Sequence, residues 1–251
     1  MSVKMKISAI AIAIASLSTS AFAADYVYQT AGNPWGNTTN DSAMTGAFGA
    51  ANWSKSGYDT SGLAGAKFVF LDGSDGNANA LSSFLGSNQS FLETFVADGG
   101  HLFINSAPNQ GGSFSLGFGG TMLNYANFSS TAVVNAAGVA AGLTTGGITT
   151  SYTGNWFSHA TVTGSFNSLI DGSAGSVFGS KSWGNGLVAF GGQTTTNWHS
   201  PNADARTLLQ NELHYVATTT AVPEPETYAL MLAGLGLMGA MVRRRKAANK
   251  A

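Results

Sequence analysis

The feature that most restricts the fold is a pair of short apolar runs with no polar alternation, Lys67-Phe68-Val69-Phe70-Leu71 and His101-Leu102-Phe103-Ile104-Asn105. A strand with one wet face alternates, whereas a strand covered on both faces reads as continuous apolar sequence. Between the runs, residues 80–97 place Leu81, Phe84, Leu85, Phe91, Leu92, Phe95 and Val96 at approximately helical spacing. Gly86 is the expected break and Asp98-Gly99-Gly100 the stop. Strand, helix, glycine turn and strand in so short a stretch predict a βαβ unit with parallel strands and a right-handed crossover.

A further strand is expected at residues 25–29, where Tyr26, Val27 and Tyr28 precede the Gly32-Asn33-Pro34 break, and another at Gly186-Leu187-Val188-Ala189-Phe190-Gly191. Residues 203–216 form an amphipathic helix opened by Ser200-Pro201-Asn202, with Leu208, Leu209, Leu213 and Val216 on its buried face. Residues 111–182 are rich in Gly, Ser and Thr, with short β-like pieces such as Ala160-Thr161-Val162-Thr163. They lack a core of their own and read as a β-rich insertion within one domain spanning residues 24–221. The fold class is α/β, a parallel sheet carrying a β-rich insertion.

Both ends carry targeting signals. Residues 1–6 hold two lysines, residues 7–17 are almost wholly apolar, and residues 18–23 end in Ala21-Phe22-Ala23. This is the order of a secretory signal peptide, which signal peptidase would cut after Ala23. The other reading, an uncleaved anchor, asks an apolar stretch of about 11 residues to span a bilayer. At the far end, Val222-Pro223-Glu224-Pro225 precedes an apolar run over residues 228–242 and then Arg243-Arg244-Arg245-Lys246. A helix of that run reaches only about 22 Å against a hydrocarbon core of about 30 Å, so it inserts marginally. Gly234, Gly236 and Gly239 weaken it further while letting another helix approach closely. The positive-inside rule keeps the basic tail, residues 243–251, in the cytoplasm and places everything before Val222 outside. Prolines at 223 and 225 keep residues 221–226 extended.

That C-terminal order, Pro-Glu-Pro, glycine-bearing transmembrane helix and arginine cluster, resembles the PEP-CTERM sorting signal. The resemblance implies recognition of Pro223, Glu224 and Pro225 by exosortase, a membrane cysteine protease, and release of the span. A plain single-span tail anchor with a proline-containing linker is the other reading.

Lys plus Arg number 11 and Asp plus Glu 12, but five of the basic residues lie in the last nine positions, which leaves the middle mildly acidic. Without a basic patch, nucleic acid is not an expected partner. Only 9% of residues are charged, so the surface is built from hydroxyls, amides and bare backbone, a composition that suits a sugar-rich exterior. Cysteine is absent, which removes disulfides, thiolate nucleophiles and Cys-ligated zinc together.

The strand at Phe68 to Leu71 with its Asp72-Gly73 turn, Asp98-Gly99-Gly100-His101-Leu102-Phe103-Ile104, and Gly186-Leu187-Val188-Ala189-Phe190-Gly191-Gly192 before Leu208-Leu209-Gln210-Asn211-Glu212-Leu213 are similar to the flavodoxin-like sheet of the class I glutamine amidotransferase-like superfamily. The resemblance covers about half of the mature chain. Catalytic members of that family carry a Cys nucleophile after the strand matching His101 to Asn105. Here Ser106 stands nearby, so amidotransferase activity is not implied.

In an open parallel sheet, the loops after the strand carboxyl ends form the ligand crevice. Three should meet there, at residues 72–77, 105–112 and 193–201. Asp72, Asp75 and Asn77 could offer hard oxygen ligands to calcium, but their spacing matches no EF-hand and an ordinary Asx-turn loop is the favoured reading. No other cofactor is expected. Ser106 and His199 could act as nucleophile and base, oriented by Asp72 or Asp75, but no Gly-x-Ser-x-Gly elbow surrounds Ser106. His101 reads as structural and His214 as a helix-surface or boundary residue.

Of Trp35, Trp53, Trp156, Trp183 and Trp198, most should pack against the sheet. Exposed loop tryptophans can stack on sugar rings. Trp198, beside His199 in a crevice loop, is the chief candidate, and Asn105 opens another of those loops. Asn37-Thr38-Thr39 and Asn52-Trp53-Ser54 match the glycosylation sequon, which carries little weight in a bacterial exported chain. The sequence therefore describes an exported surface or matrix-associated protein, non-enzymatic, linked to exopolysaccharide or biofilm through what its sorting signal implies. A secreted hydrolase, or a glycan or small-ligand-binding module, is the alternative.

Overall fold

The computed structural model describes residues 25–220 together with Met238. The expectations on Ala21 and Ala23, on Pro223, Glu224 and Pro225, on the span at 228–242 and on Arg243 to Lys246 lie outside the described residues. Among the described residues, no helix is long and apolar enough to cross a membrane.

In chain order the strands are β1 (Tyr26–Gln29), β2 (Trp53–Ser56), β3 (Phe68–Asp72), β4 (His101–Asn105), β5 (Phe114–Gly117), β6 (Thr121–Val134), β7 (Ser151–Thr163), β8 (Asn167–Gly172), β9 (Gly175–Trp183), β10 (Gly186–Gly191) and β11 (His199–Ser200). The helices are α1 (Thr39–Phe48), α2 (Ala78–Ala97), α3 (Ala136–Ala140) and α4 (Asn202–Thr218). All strands join one 11-stranded sheet in a mixed α/β fold. Half of it is parallel, in the order β2-β1-β3-β4-β10. At β10 the direction reverses, and β9, β8, β6, β7 and β11 continue it antiparallel, with β5 alongside β6. The stretch read as a β-rich insertion is thus this antiparallel wing.

The apolar runs behave as their composition requires. Along β3, Phe68 and Phe70 enter a core shared with α1 and α4, while Val69 and Leu71 enter a second core under α2. Tyr28, Phe70 and Phe103 form a stacked ladder across β1, β3 and β4, with ring centroids 5.1 and 5.0 Å apart. Each such contact adds about 0.5–1.5 kcal/mol beyond burial. The expected break in α2 at Gly86 is not there. The helix runs through it and is kinked instead at Asn88 (φ −126°), whose Nδ2 donates to the Phe84 carbonyl at 2.8 Å.

The wing folds back over the parallel strands. Its strand β6 slips register against β7 between Tyr125 and Ser129, at a left-handed Ala126 (φ 66°), and this bends the pair. Strand β7 then reaches the chain leaving β10. His159 N donates to Gly192 O at 3.2 Å, Thr194 N donates to Phe157 O at 3.0 Å, and Ser158 bridges Gln193. The approach is so close that a Cβ on Gly192 would strike the Ala160 carbonyl. The middle of β7 is thereby laid across the carboxyl ends of the parallel strands.

Candidate functional site

The loops after β1, β4 and β10 meet the middle of β7 around an open cavity of about 410 Å³. Trp35 comes from the first loop, Asn109 from the second, Thr194 and Trp198 from the third, and Asn155, Trp156 and His159 from β7. Trp156 and Trp198 are 51% and 48% exposed, while Trp35 is half-buried. Phe128 continues the aromatic wall, its ring 4.7 Å from that of Trp156. So much solvent-facing indole at one spot is unfavourable for an isolated chain and marks a contact surface.

The backbone around this cleft is held in conformations that side-chain-bearing residues rarely adopt. Trp35 (φ 49°), Asp75 (φ 57°) and Trp156 (φ 83°) all lie in the left-handed region. Strain of this kind persists only where the surroundings enforce it, and it gathers at functional sites. The enforcement is visible. The Asp75 carboxylate accepts the Trp35 N–H at 2.9 Å through Oδ2 and the Asn109 Nδ2–H at 2.9 Å through Oδ1. Backbone bonds from Asp75 N to Ala107 O and from Asn109 N to Asp75 O lock the two loops together.

His159 is boxed edge-on by Trp35, Phe128 and Trp156 at 5.6, 5.3 and 6.2 Å between centroids. Its Nδ1 lies 2.9 Å from the Pro108 carbonyl, which can only accept, so Nδ1 carries the proton. Burial holds its pKa below the usual histidine value, opposed by the Pro108 bond and by Asp75. The neutral ring is thus fixed in one tautomer.

Beneath the cleft runs a buried polar chain. Asp72, fully buried at the end of β3, accepts Asn40 Nδ2 at 2.9 Å, Asn105 Nδ2 at 3.1 Å, and both Ser74 Oγ and N at 2.6 and 3.2 Å. Burial pushes it up to about 6, against the donors that favour its charged form. Asn105 also clamps the Gln193 backbone, donating to its carbonyl at 3.0 Å and accepting its N–H at 3.1 Å. The Gln193 side chain in turn donates to the buried Glu212 at 3.0 Å.

The sequence candidates have these partners. Ser106 is fully buried and its Oγ donates to Gly73 O at 2.8 Å. His199 is also buried, stacked on Phe157 at 4.0 Å, with Nε2 3.0 Å from both the Phe157 carbonyl and Thr194 Oγ1. A carbonyl only accepts, so that nitrogen bears the proton and is not a free base, and burial depresses the ring to about 3. The structure does not bring Ser106 and His199 together as nucleophile and base. His199 and Thr194 fasten the Trp198 segment to β7.

The calcium candidates also diverge. Asp72 is saturated by N–H and O–H donors, Asp75 holds Trp35 and Asn109, and Asn77 donates to Gly32 O and Ser74 O at 2.9 and 3.0 Å. Among the described residues, no group of three or more acidic or histidine side chains could hold a metal ion. Asn105 does not face the cleft, because its amide is consumed below it. Trp53 and Trp183 pack on the sheet, Trp183 lying 5.5 Å from Phe118. His101 opens β4 half-buried and His214 is exposed on α4.

Sequence reasoning placed Trp198 in the crevice but did not single out Trp35, Trp156, His159, Asn109 or Asn155. A signal was available for two of them. Trp35 and Trp156 both follow turn-favouring glycine and asparagine in the sequence, in Gly32-Asn33-Pro34-Trp35-Gly36 and Gly154-Asn155-Trp156, where a core residue is not expected.

A protein-family model described as the PEP-CTERM protein-sorting motif matches residues 221–246. The C-terminal segment is therefore a PEP-CTERM motif, as its Pro-Glu-Pro, apolar and arginine order led one to expect, and it makes the chain an exosortase substrate. No curated protein matches the chain. Among solved structures, similar ones include a β-galactosidase from Bacillus circulans sp. alkalophilus (13% identity, TM-score 0.45, 76% of this chain and 30% of that one). Another is a β-galactosidase from Rahnella sp. R3 (14%, 0.48, 80% and 33%). A third is a ThuA-like protein from Parabacteroides merdae ATCC 43184 (14%, 0.44, 79% and 92%). The chain spans about a third of the length of the two β-galactosidases.

Proposed function

We propose that this exosortase-sorted chain is a non-enzymatic surface or matrix protein whose exported domain binds saccharide in the tryptophan cleft. The observation that supports this most is the convergence of Trp35, Trp156 and Trp198, two of them about half exposed, on one cavity ringed by amide and hydroxyl groups. Indole faces meet the C–H faces of sugar rings, and amides and hydroxyls answer their hydroxyls. Ser106 and His199 are committed to structural bonds, which favours binding without chemistry.

In this reading, signal peptidase cuts after Ala23, residues 24–221 lie outside, and Arg243 to Lys246 stay in the cytoplasm until exosortase removes the span. Binding exopolysaccharide would hold the released domain in a biofilm matrix, a role that the sorting motif favours by association. The test is a saccharide titration of the exported protein, followed by tryptophan fluorescence, with Trp156→Ala and Trp198→Ala in parallel. Each substitution should weaken binding by about tenfold or more. Binding that survives both substitutions refutes the cleft as the site.

A further inference from the structure

We infer that the cleft selects uncharged pyranoses over uronates and sulfated sugars, and that His159 Nε2 accepts a hydrogen bond from a sugar hydroxyl. This rests on the saccharide reading above and specifies the ligand class.

The first support is the charge around the cavity. Its polar lining consists of two amides, one hydroxyl and one imidazole, with no lysine or arginine. The cations among the described residues are Lys55, Lys67, Lys181 and Arg206, and none of them lines the cavity. Lys55 bonds Asp41 at 2.8 Å and Lys67 bonds Asp25 at 2.9 Å. Lys181 bonds Phe118 O at 3.1 Å, and Arg206 bonds Asn202 Oδ1 at 2.9 Å. A carboxylate or sulfate entering the cleft would shed water and meet no counter-charge, which is costly. The Asp75 carboxylate, directly behind Trp35 and Asn109, adds repulsion.

The second support is the geometry of His159. Its Nδ1–H is spent on Pro108 O, and Nε2 has no protein partner among the described residues. Burial disfavours the charged ring. Three aromatic edges fix its plane, so the Nε2 lone pair points in a set direction. A pre-aimed acceptor in an apolar box requires a donor, and a hydroxyl is the donor that an uncharged sugar supplies. The cavity's size, toward the lower end of the roughly 300–1,000 Å³ usual for small-ligand sites, suits a short saccharide.

The experiment titrates the exported protein with neutral hexose oligosaccharides and with oligouronates of equal length, at low and high salt. Neutral sugars should bind at least about tenfold more tightly, with the gap narrowing in salt as the repulsion is screened. His159→Phe should lose about tenfold, and His159→Gln, which keeps an acceptor, should recover much of it. Asn155→Lys, on an exposed rim position where folding is not at stake, should raise uronate binding several-fold. Uronates binding as tightly as neutral sugars, with sensitivity to Trp198→Ala, would overturn the charge selection and leave the saccharide site standing. An unchanged affinity in folded His159→Phe would overturn the role of His159. Failure of every sugar would overturn the saccharide reading and this inference with it.

Discussion

The Asp75 carboxylate accepts the backbone N–H of Trp35 at 2.9 Å across 40 residues of chain, and both residues are left-handed, at φ 57° and 49°. One side chain therefore sets the position of a cleft wall and, through Asn109, of the facing loop. Removing it should release both.

Asp75→Ala is expected to lower saccharide affinity by about tenfold and stability by about 1–3 kcal/mol, since it strips a charge-assisted acceptor and leaves a strained φ. Asp75→Asn should cost less on both counts, because asparagine tolerates the left-handed region and retains one acceptor oxygen. Titration with urea unfolding of both variants checks this, and equal losses would refute the positional role.

Gly154 pairs with His199 where β7 meets β11, and a Cβ there would run into the Trp198 carbonyl. Gly154→Ala should push the Trp198 loop outward, shift tryptophan emission and weaken binding. Gly57→Ala, where a Cβ meets nothing within 4 Å, should leave both unchanged. Fluorescence of the two variants side by side reads the difference.

Ser106→Ala removes a donor to Gly73 O and should cost about 1 kcal/mol of stability without touching saccharide affinity. A loss of turnover on ester substrates in this variant would instead restore Ser106 as a nucleophile.

Glu212 is fully buried on α4, and burial raises its carboxyl from 4.5 to about 8. The folded chain holds a proton that the unfolded chain releases, so this contribution is fully present below about 4.5 and is lost as pH rises through about 8. His199 acts in the opposite sense, because it stays neutral when folded, and stability falls as pH drops from 6.5 toward about 3. Stability should peak in mild acid. Glu212→Gln should flatten the alkaline limb and raise the melting temperature at pH 8 by several degrees, as calorimetry across the pH range would show.

Processing should remove the C-terminal segment. Intact mass of the surface form is expected to lack residues 243–246, and Pro223→Ala or Glu224→Ala should retain them in the membrane fraction. Retention of Arg243 to Lys246 in the wild-type surface form would sink the sorting account.

The elements written plainly in the sequence are those whose burial is two-sided or strongly periodic. β3, β4 and β10 are solid apolar runs, and α2 and α4 carry their core residues at helical spacing. Helix α1 went unread because only Ala43, Met44, Ala47 and Phe48 supply its apolar face. Strand β2 went unread because it is a half-exposed edge whose polar residues carry no pattern.

What the sequence alone determined is local. It set the parallel strands through unbroken apolarity and the sorting segment through its Pro-Glu-Pro, apolar and arginine order, because each signal lies within one stretch of chain. Tertiary structure decided which tryptophans face solvent, which carboxylate positions a wall, and that Ser106 and His199 each bond to other partners. Those outcomes depend on Trp35, Asp75, Asn109, Trp156 and Trp198 meeting from distant segments once β7 folds over the sheet, and contacts between distant segments leave no periodicity along the chain from which to read them.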